Sequence, residues 1–233
     1  DQLEQADTRA WFLLPRTGER ALFRVEMLKS RWQFAAGLTG SSVMGVVLSQ
    51  LDKLILSTTL SLERYSYYVL AGSASQGLYR LITPVSSAIF PRLSALAAGN
   101  DTHALENLYH KSTQLMSLIL MPITAVVVFF AKDLLLLWTG NSEIAERSHL
   151  ILILLVVGTA ANGLMNMPVA LQWAHKWTKL HFVAATVSVL VLAPTVTILS
   201  LVYGGPGAAI GWLTFNVGYL VIVLRIMHKR LLP

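Results

Sequence analysis

Four stretches of this 233-residue chain contain no Asp, Glu, Lys or Arg: 32–51, 112–131, 148–175 and 180–224. A helix rises 1.5 Å per residue, so about 20 apolar residues carry it across a hydrocarbon core of about 30 Å. Each of the first three runs is long enough for one crossing, and the fourth for two. Tyr203-Gly204-Gly205-Pro206-Gly207 divides that fourth run, as a Gly/Pro turn should. Residues 67–90 form one more apolar segment, interrupted only by Arg80. The spans therefore fall near 33–58, 67–90, 110–131, 148–171, 180–202 and 207–226. A soluble protein with six such helices would have no polar surface. Charged residues make up 13% of the chain and hydrophobic ones 55%, whereas a soluble domain carries about 25% charged residues. The expected fold class is all-α: a polytopic membrane protein with a six-helix transmembrane bundle over 32–233, preceded by a connector over 1–31.

Orientation follows from Lys and Arg in the loops. With six spans both termini share a side, and the segments 1–31, 91–111, 172–179 and 225–233 on that side hold 13 of the basic residues. The other side holds three, Arg64, Lys132 and Arg147. The bias puts both termini in the cytoplasm. Trp32, Trp173 and Trp177 then mark the inner interface, and Tyr65, Tyr67, Tyr68, Trp138 and Tyr203 the outer one. Ahead of the first span, Arg20–Arg31 reads RALFRVEMLKSR. Ala21, Leu22, Val25 and Leu28 recur at helical spacing, with basic residues around them. This reads either as an amphipathic helix on the inner leaflet or as a plain connector. The chain opens on Asp1-Gln2-Leu3-Glu4-Gln5, which is no signal peptide, and the expectation is a piece that begins inside a longer protein.

Within the first two spans lie three charged residues: Asp52, Lys53 and Arg80. On the first span Thr39, Ser42, Ser49, Asp52 and Lys53 fall near one face, with Gln50 beside it. On the second, Ser73, Gln76, Arg80, Thr83 and Ser87 recur every three or four residues, which is one helical face. Two apolar helices with polar stripes should turn them toward a shared cavity, because a charge at mid-bilayer costs at least a few kcal/mol in lipid. By helical rise Asp52 lies about 9 Å from the outer end of its span and Arg80 about 20 Å. Lys53 can snorkel outward; Arg80 is too deep for that. Asp52 reads either as a site residue or as a counter-ion to Lys53 or Arg80. The candidate substrate-contacting residues are Arg80, Asp52, Lys53, Ser49, Gln76 and Ser73. Pro84, Pro122, Pro168 and Pro194 lie inside spans, where each removes a backbone donor and tends to kink its helix. Gly207 and Gly211 have the spacing of a close helix–helix approach.

Catalytic signatures are poor. There is no cysteine, which removes disulfides, thiol nucleophiles and thiolate metal sites. None of the six histidines pairs with another at metal-ligand spacing. GGPGAAIG at 204–211 is not a dinucleotide fingerprint, since Ile210 stands where the third glycine belongs. No enzyme chemistry, cofactor, metal or nucleic acid is expected.

Several segments resemble a known family: SRWQFAAGLTGSS (Ser30–Ser42), QLDKLILSTTLS (Gln50–Ser61), YYVLAG (Tyr67–Gly72), FPRLSAL (Phe90–Leu96), LYHKSTQL (Leu108–Leu115) and LLLLWTG (Leu134–Gly140). In order and spacing they are similar to the polysaccharide-transporter flippases, the O-antigen flippases of the superfamily that includes multidrug exporters and the lipid II flippase. The similarity is carried by residues 25–140, and beyond them by hydropathy. It implies twelve helices in two pseudo-symmetric bundles, with this chain as the second and an N-terminal six-helix bundle as its partner. It also implies the cargo, an undecaprenyl-diphosphate-linked oligosaccharide moved from the inner to the outer leaflet of a bacterial inner membrane by alternating access. Membrane lipids and other polysaccharide-assembly proteins are the remaining implied partners. Cationic and hydroxyl-bearing faces would ease passage of a diphosphate and glycan that are costly to bury alone. Competing readings are a cation antiporter of the same superfamily, with Asp52 binding the coupling ion, a membrane glycosyltransferase or polymerase, and a structural membrane subunit.

The orientation can be checked with single cysteines, since none is native. Ser61→Cys and Asn141→Cys should react with an impermeant maleimide added from the periplasm, and Asn100→Cys and Thr178→Cys should not. The reverse pattern would invert the topology.

Overall fold

In a computed structural model, residues 25–175 and 177–231 are described. The chain divides into two compact units, Asp1–Ala35 and Ala36–Pro233, and the second holds nearly all of the internal packing. Of the Arg20–Arg31 amphipathic segment, 20–24 lies outside the described residues, and so do the side chains of the remainder. The described helices are α1 (Val25–Thr59), α2 (Leu62–Gln76), α3 (Tyr79–Ala98), α4 (Thr102–Phe129), α5 (Ala131–Thr139), α6 (Ser142–Leu164), α7 (Asn166–Ala174) and α8 (Thr178–Leu231). Four continuous stretches are long and apolar enough to cross a membrane: Leu62–Ala98, Thr102–Phe129, Ser142–Ala174 and Val183–Met227. The last bends at Gly204, whose φ of 65° and ψ of −140° leave the helical region, a backbone conformation that favours glycine. With α1 and the two arms of α8 counted separately, the described helices of this all-α polytopic fold give roughly the six segments expected from the sequence.

Local chemistry sets the turns. Ser61 caps α2 by accepting from Arg64 N, and Asp101 caps α4 by accepting from Ala104 N at 3.0 Å. Asn141 caps α6 by accepting from the backbone N–H groups of Glu143 and Ile144 at 2.9 and 3.2 Å. Each side-chain oxygen satisfies donors that a helix start leaves orphaned. Gly140, at φ 66°, closes α5 in the left-handed conformation.

The helix interruptions and the interior prolines mostly fall at different places. Pro84, Pro122 and Pro194 sit inside continuous helices. Breaks fall instead at Gly77–Leu78, Phe130, Met165 and Gly204. Only Pro168 adjoins one: it has no N–H to offer the carbonyl of Leu164, and α6 ends there, with Met165 N donating to Asn162 O at 3.0 Å. At Gly77 and Leu78 the backbone stays right-handed, with φ −53° and −59°. The i→i−4 ladder gives way to shorter loops, Gly77 N to Ala74 O at 3.1 Å and Arg80 N to Gly77 O at 3.1 Å.

The core has two centres. One gathers Leu56, Tyr68, Ala71, Leu135, Leu152 and Leu192 toward the α1–α2 turn. The other gathers Ile82, Leu93, Tyr109, Met116, Met167 and Met227 toward the α3–α4 turn. Helix α6 feeds both and packs against α2, α4, α5 and α8. Its run of Gly158, Thr159, Ala160, Ala161 and Gly163 is buried, and small side chains let neighbouring helices come close where no hydrophobic effect drives them together. A Cβ at Gly163 would lie 2.6 Å from Ile82 Cδ1, and one at Gly158 2.7 Å from Trp212 Cδ1.

The two arms of α8 meet at Gly207, where a Cβ would sit 2.0 Å from the carbonyl oxygen of Leu199. Backbone cannot yield as a side chain can. Gly207→Ala should therefore lower the unfolding free energy in detergent by about 1–3 kcal/mol, the usual cost of overpacking. Gly218→Ala, with open space around it, should be neutral. Equal stability of the two variants would contradict the packing of the arms.

Candidate functional site

Ser73, Gln76, Arg80, Thr83 and Ser87 are all exposed. Because Gly77 and Leu78 stay right-handed, the periodicity carries across the break from α2 into α3. Ser73 Oγ donates to Val69 O at 2.9 Å, a bond within its own helix. The two side-chain ion pairs among the described residues are Lys132–Glu146 and Arg147–Glu143. Neither involves Arg80, whose guanidinium stands on an exposed helical face without a carboxylate partner among the described residues.

The first stripe is split by its bonding. Asp52 does not reach Arg80. Its Oδ2 accepts from Tyr68 Oη at 2.6 Å, and its Oδ1 from Lys53 N at 2.8 Å. Tyr68, expected at the outer interface, is instead 1% exposed. The pair ties α1 to α2 inside the first core centre. Lys53 Nζ donates to Gln50 Oε1 at 3.2 Å. Ser49 Oγ donates to Val46 O at 2.8 Å and stands on the wall of a cavity. Of the six candidates, Ser49, Asp52 and Lys53 thus cluster on α1, while Ser73, Gln76 and Arg80 share one face of α2–α3.

That cavity, of about 250 Å³, was not read from the sequence; Ser49, Tyr79, Asn162, Asn166, Trp212 and Tyr219 are among its walls. A hydrogen-bond chain runs from two of its wall residues, Tyr79 and Asn162, to the buried Asn216 at the level of the helix breaks. Tyr79 Oη donates to Asn162 Oδ1 at 2.7 Å, Asn162 Nδ2 to Asn216 Oδ1 at 2.8 Å, and Asn216 Nδ2 to Trp212 O at 2.8 Å. Tyr79 is the first residue of α3 and Asn162 lies in the last turn of α6. The chain therefore pins two broken helices to α8 where their own ladders lapse. Sequence reasoning followed charges and periodic stripes, and lone asparagines on separate helices offer neither. The available signal was an amide in an otherwise apolar run. Trp173, assigned from sequence to the inner interface, lines the same cavity.

This fold is shared with solved MATE transporters. A crystal structure of a point mutant of the Vibrio cholerae transporter VcmN matches 98% of this chain and 52% of that one, with a TM-score of 0.82 at 15% identity. The bent form of the same transporter matches with a TM-score of 0.79 at 15% identity, with the same coverage of each chain. At that identity the likeness shows the fold. The chain itself belongs to the family described as polysaccharide biosynthesis protein, which it matches over residues 10–142. It is 26% identical, over 194 residues, to a Shigella flexneri protein whose name assigns it to O-antigen transport. The match covers 82% of this chain and 44% of that protein. The chain spans about half the length of the relatives it matches.

The Asp52–Tyr68 bond is the contact that fixes α1 against α2. Tyr68→Phe should lower the unfolding free energy by about 1–2 kcal/mol. Asp52→Asn keeps an acceptor oxygen and should cost less. A double-mutant cycle in detergent should show coupling between the two positions; additivity would contradict the bond.

Proposed function

We propose that this chain is part of a flippase that moves an undecaprenyl-diphosphate-linked oligosaccharide, a surface-polysaccharide repeat unit, across a bacterial inner membrane. Transfer runs from the cytoplasmic to the periplasmic leaflet by alternating access, with a second six-helix bundle facing this one. Family membership and the similarity to a protein named for O-antigen transport support the cargo class. The observation that carries the mechanism is the exposed stripe on α2–α3 with Arg80 at its centre and no carboxylate among the described residues beside it. An arginine cannot lose its charge inside the bilayer. Left unpaired toward lipid it would be costly, so its face belongs against a polar path. Its planar fork of donors matches phosphate oxygens in a bidentate way that lysine cannot copy. Serine, threonine and glutamine side chains along the same face exchange hydrogen bonds with sugar hydroxyls, while the prenyl tail stays in lipid.

Ser49 and Lys53 lie on α1, where Asp52 is held by Tyr68. A cation antiporter would need a carboxylate open to its cargo. Asp52, the acid that the sequence places within a span, is engaged with Tyr68, which favours the anionic cargo.

Complementation of a flippase-null strain tests this, normalised to membrane abundance and thermal stability. Arg80→Ala should abolish export while the protein still inserts. Arg80→Lys should retain part of the activity, because charge survives and fork geometry does not. Arg80→Glu should be at least as damaging as alanine. Normal export per folded molecule in Arg80→Ala would remove Arg80 from the substrate path.

A further inference from the structure

We infer that the cavity walled in part by Tyr79 and Asn162 is a binding site for one uncharged sugar ring. The inference rests on the proposed function, in which the cargo carries a glycan, and assigns the glycan a place apart from its diphosphate.

The lining decides the ligand class by exclusion. Among the described residues that line the cavity none is charged, and five are aromatic: Tyr79, Trp173, Trp212, Phe215 and Tyr219. A diphosphate taken from water into such a place would find no cation and few donors. A lipophilic cation would be drawn to the ring faces, but no carboxylate is there to balance it. An uncharged group remains, either a hydrocarbon chain or a polyol ring.

The polar groups separate these two. Asn162 Nδ2 has two hydrogens, and one is spent on Asn216. Asn166 donates to Gly163 O at 3.1 Å through Nδ2, and nothing among the described residues donates to its Oδ1. Trp212 Nε1–H likewise has no acceptor among the described residues, and its indole lies against Gly158, where a Cβ would be 3.1 Å from that nitrogen. Filling the cavity with hydrocarbon would strand two donors and an acceptor away from water, each at the cost of an unmade hydrogen bond. A pyranose ring carries hydroxyls that both donate and accept, which answers all three. Its C–H faces sit on the electron-rich faces of aromatic rings. Size agrees: about 250 Å³ lies just under the roughly 300–1,000 Å³ of pockets that hold drug-sized ligands. One ring fits that space, and a whole repeat unit does not.

The arrangement is also placed to report occupancy. The same Asn162 that offers a donor to the ligand pins the broken ends of α3 and α6 to α8.

Saturation-transfer NMR on the full chain in lipid nanodiscs tests the site. The probes are methyl glycosides of a neutral hexose and of an N-acetylhexosamine, with geraniol, tetraphenylphosphonium and inorganic pyrophosphate as competitors. Ring C–H signals of at least one glycoside should receive saturation that none of the three competitors displaces. Trp212→Leu should reduce that transfer about five-fold or more, as loss of a stacking face and a donor implies. Asn166→Leu should reduce it too. Its Oδ1 accepts nothing from the described residues, so this variant tests the site even where Trp212→Leu fails to fold. No transfer to either glycoside, or transfer that survives Asn166→Leu, overturns the inference. Displacement by geraniol assigns the cavity to the prenyl tail and overturns it as well; displacement by tetraphenylphosphonium assigns it to a cation, and displacement by pyrophosphate to the diphosphate, with the same result. If the sugar arm fails while Arg80→Ala still abolishes export, the inference falls and the flippase reading stands. If glycosides bind while Arg80→Ala exports normally, the sugar site stands and the diphosphate route does not.

Discussion

Close packing along α6 is the constraint on which the rest of this bundle depends. Hydrocarbon outside and hydrocarbon side chains inside are alike, so burial alone does not drive membrane helices together. Contact has to come from shape. The run from Gly158 to Gly163 removes side-chain bulk where Ile82, Leu120 and Trp212 press in, with Cβ positions that would be 2.6–2.9 Å from their atoms. The same helix feeds both centres of the core. A bulkier residue at either glycine would push α3, α4 or α8 outward together.

Such a packed hub brings its own difficulty, because the helices around it are broken. Gaps at Gly77–Leu78 and Met165 leave backbone carbonyls that lipid cannot satisfy, which is tolerated where protein or a cavity supplies partners. Short i→i−3 bonds answer part of this. The tyrosine–asparagine–asparagine chain holds the broken ends in register across three helices. Polar side chains serve here as glue and make few demands on charge.

Two polar environments result, and they differ in kind. The α2–α3 stripe is exposed, cationic and rich in hydroxyls, suited to a charged head group. The cavity is neutral, aromatic and amide-lined, suited to an uncharged ring. For the lipid-linked glycan proposed as cargo, that separation would keep the diphosphate from a place that could not solvate it.

Much of the fold was legible in the sequence for a simple reason. Charge is so costly in hydrocarbon that the charge-free runs had to be the spans, and the Gly/Pro cluster from Tyr203 to Gly207 had to hold the turn within the longest one. The stripe of Ser73, Gln76, Arg80, Thr83 and Ser87 was equally legible, since helical spacing alone puts those residues on one face, and the near-helical backbone at Gly77 kept it so. Partners were a different matter. Asp52 had Lys53 and Arg80 as apparent counter-charges, and only the crossing of α1 with α2 brought Tyr68 to it. The hydrogen-bond chain beside the cavity depended on three residues of separate helices, Tyr79, Asn162 and Asn216. Periodicity describes one helix at a time, whereas a hydrogen bond between helices is fixed by how closely they pack. That closeness came from the small residues of α6, whose effect exists only once the neighbouring helices are in place.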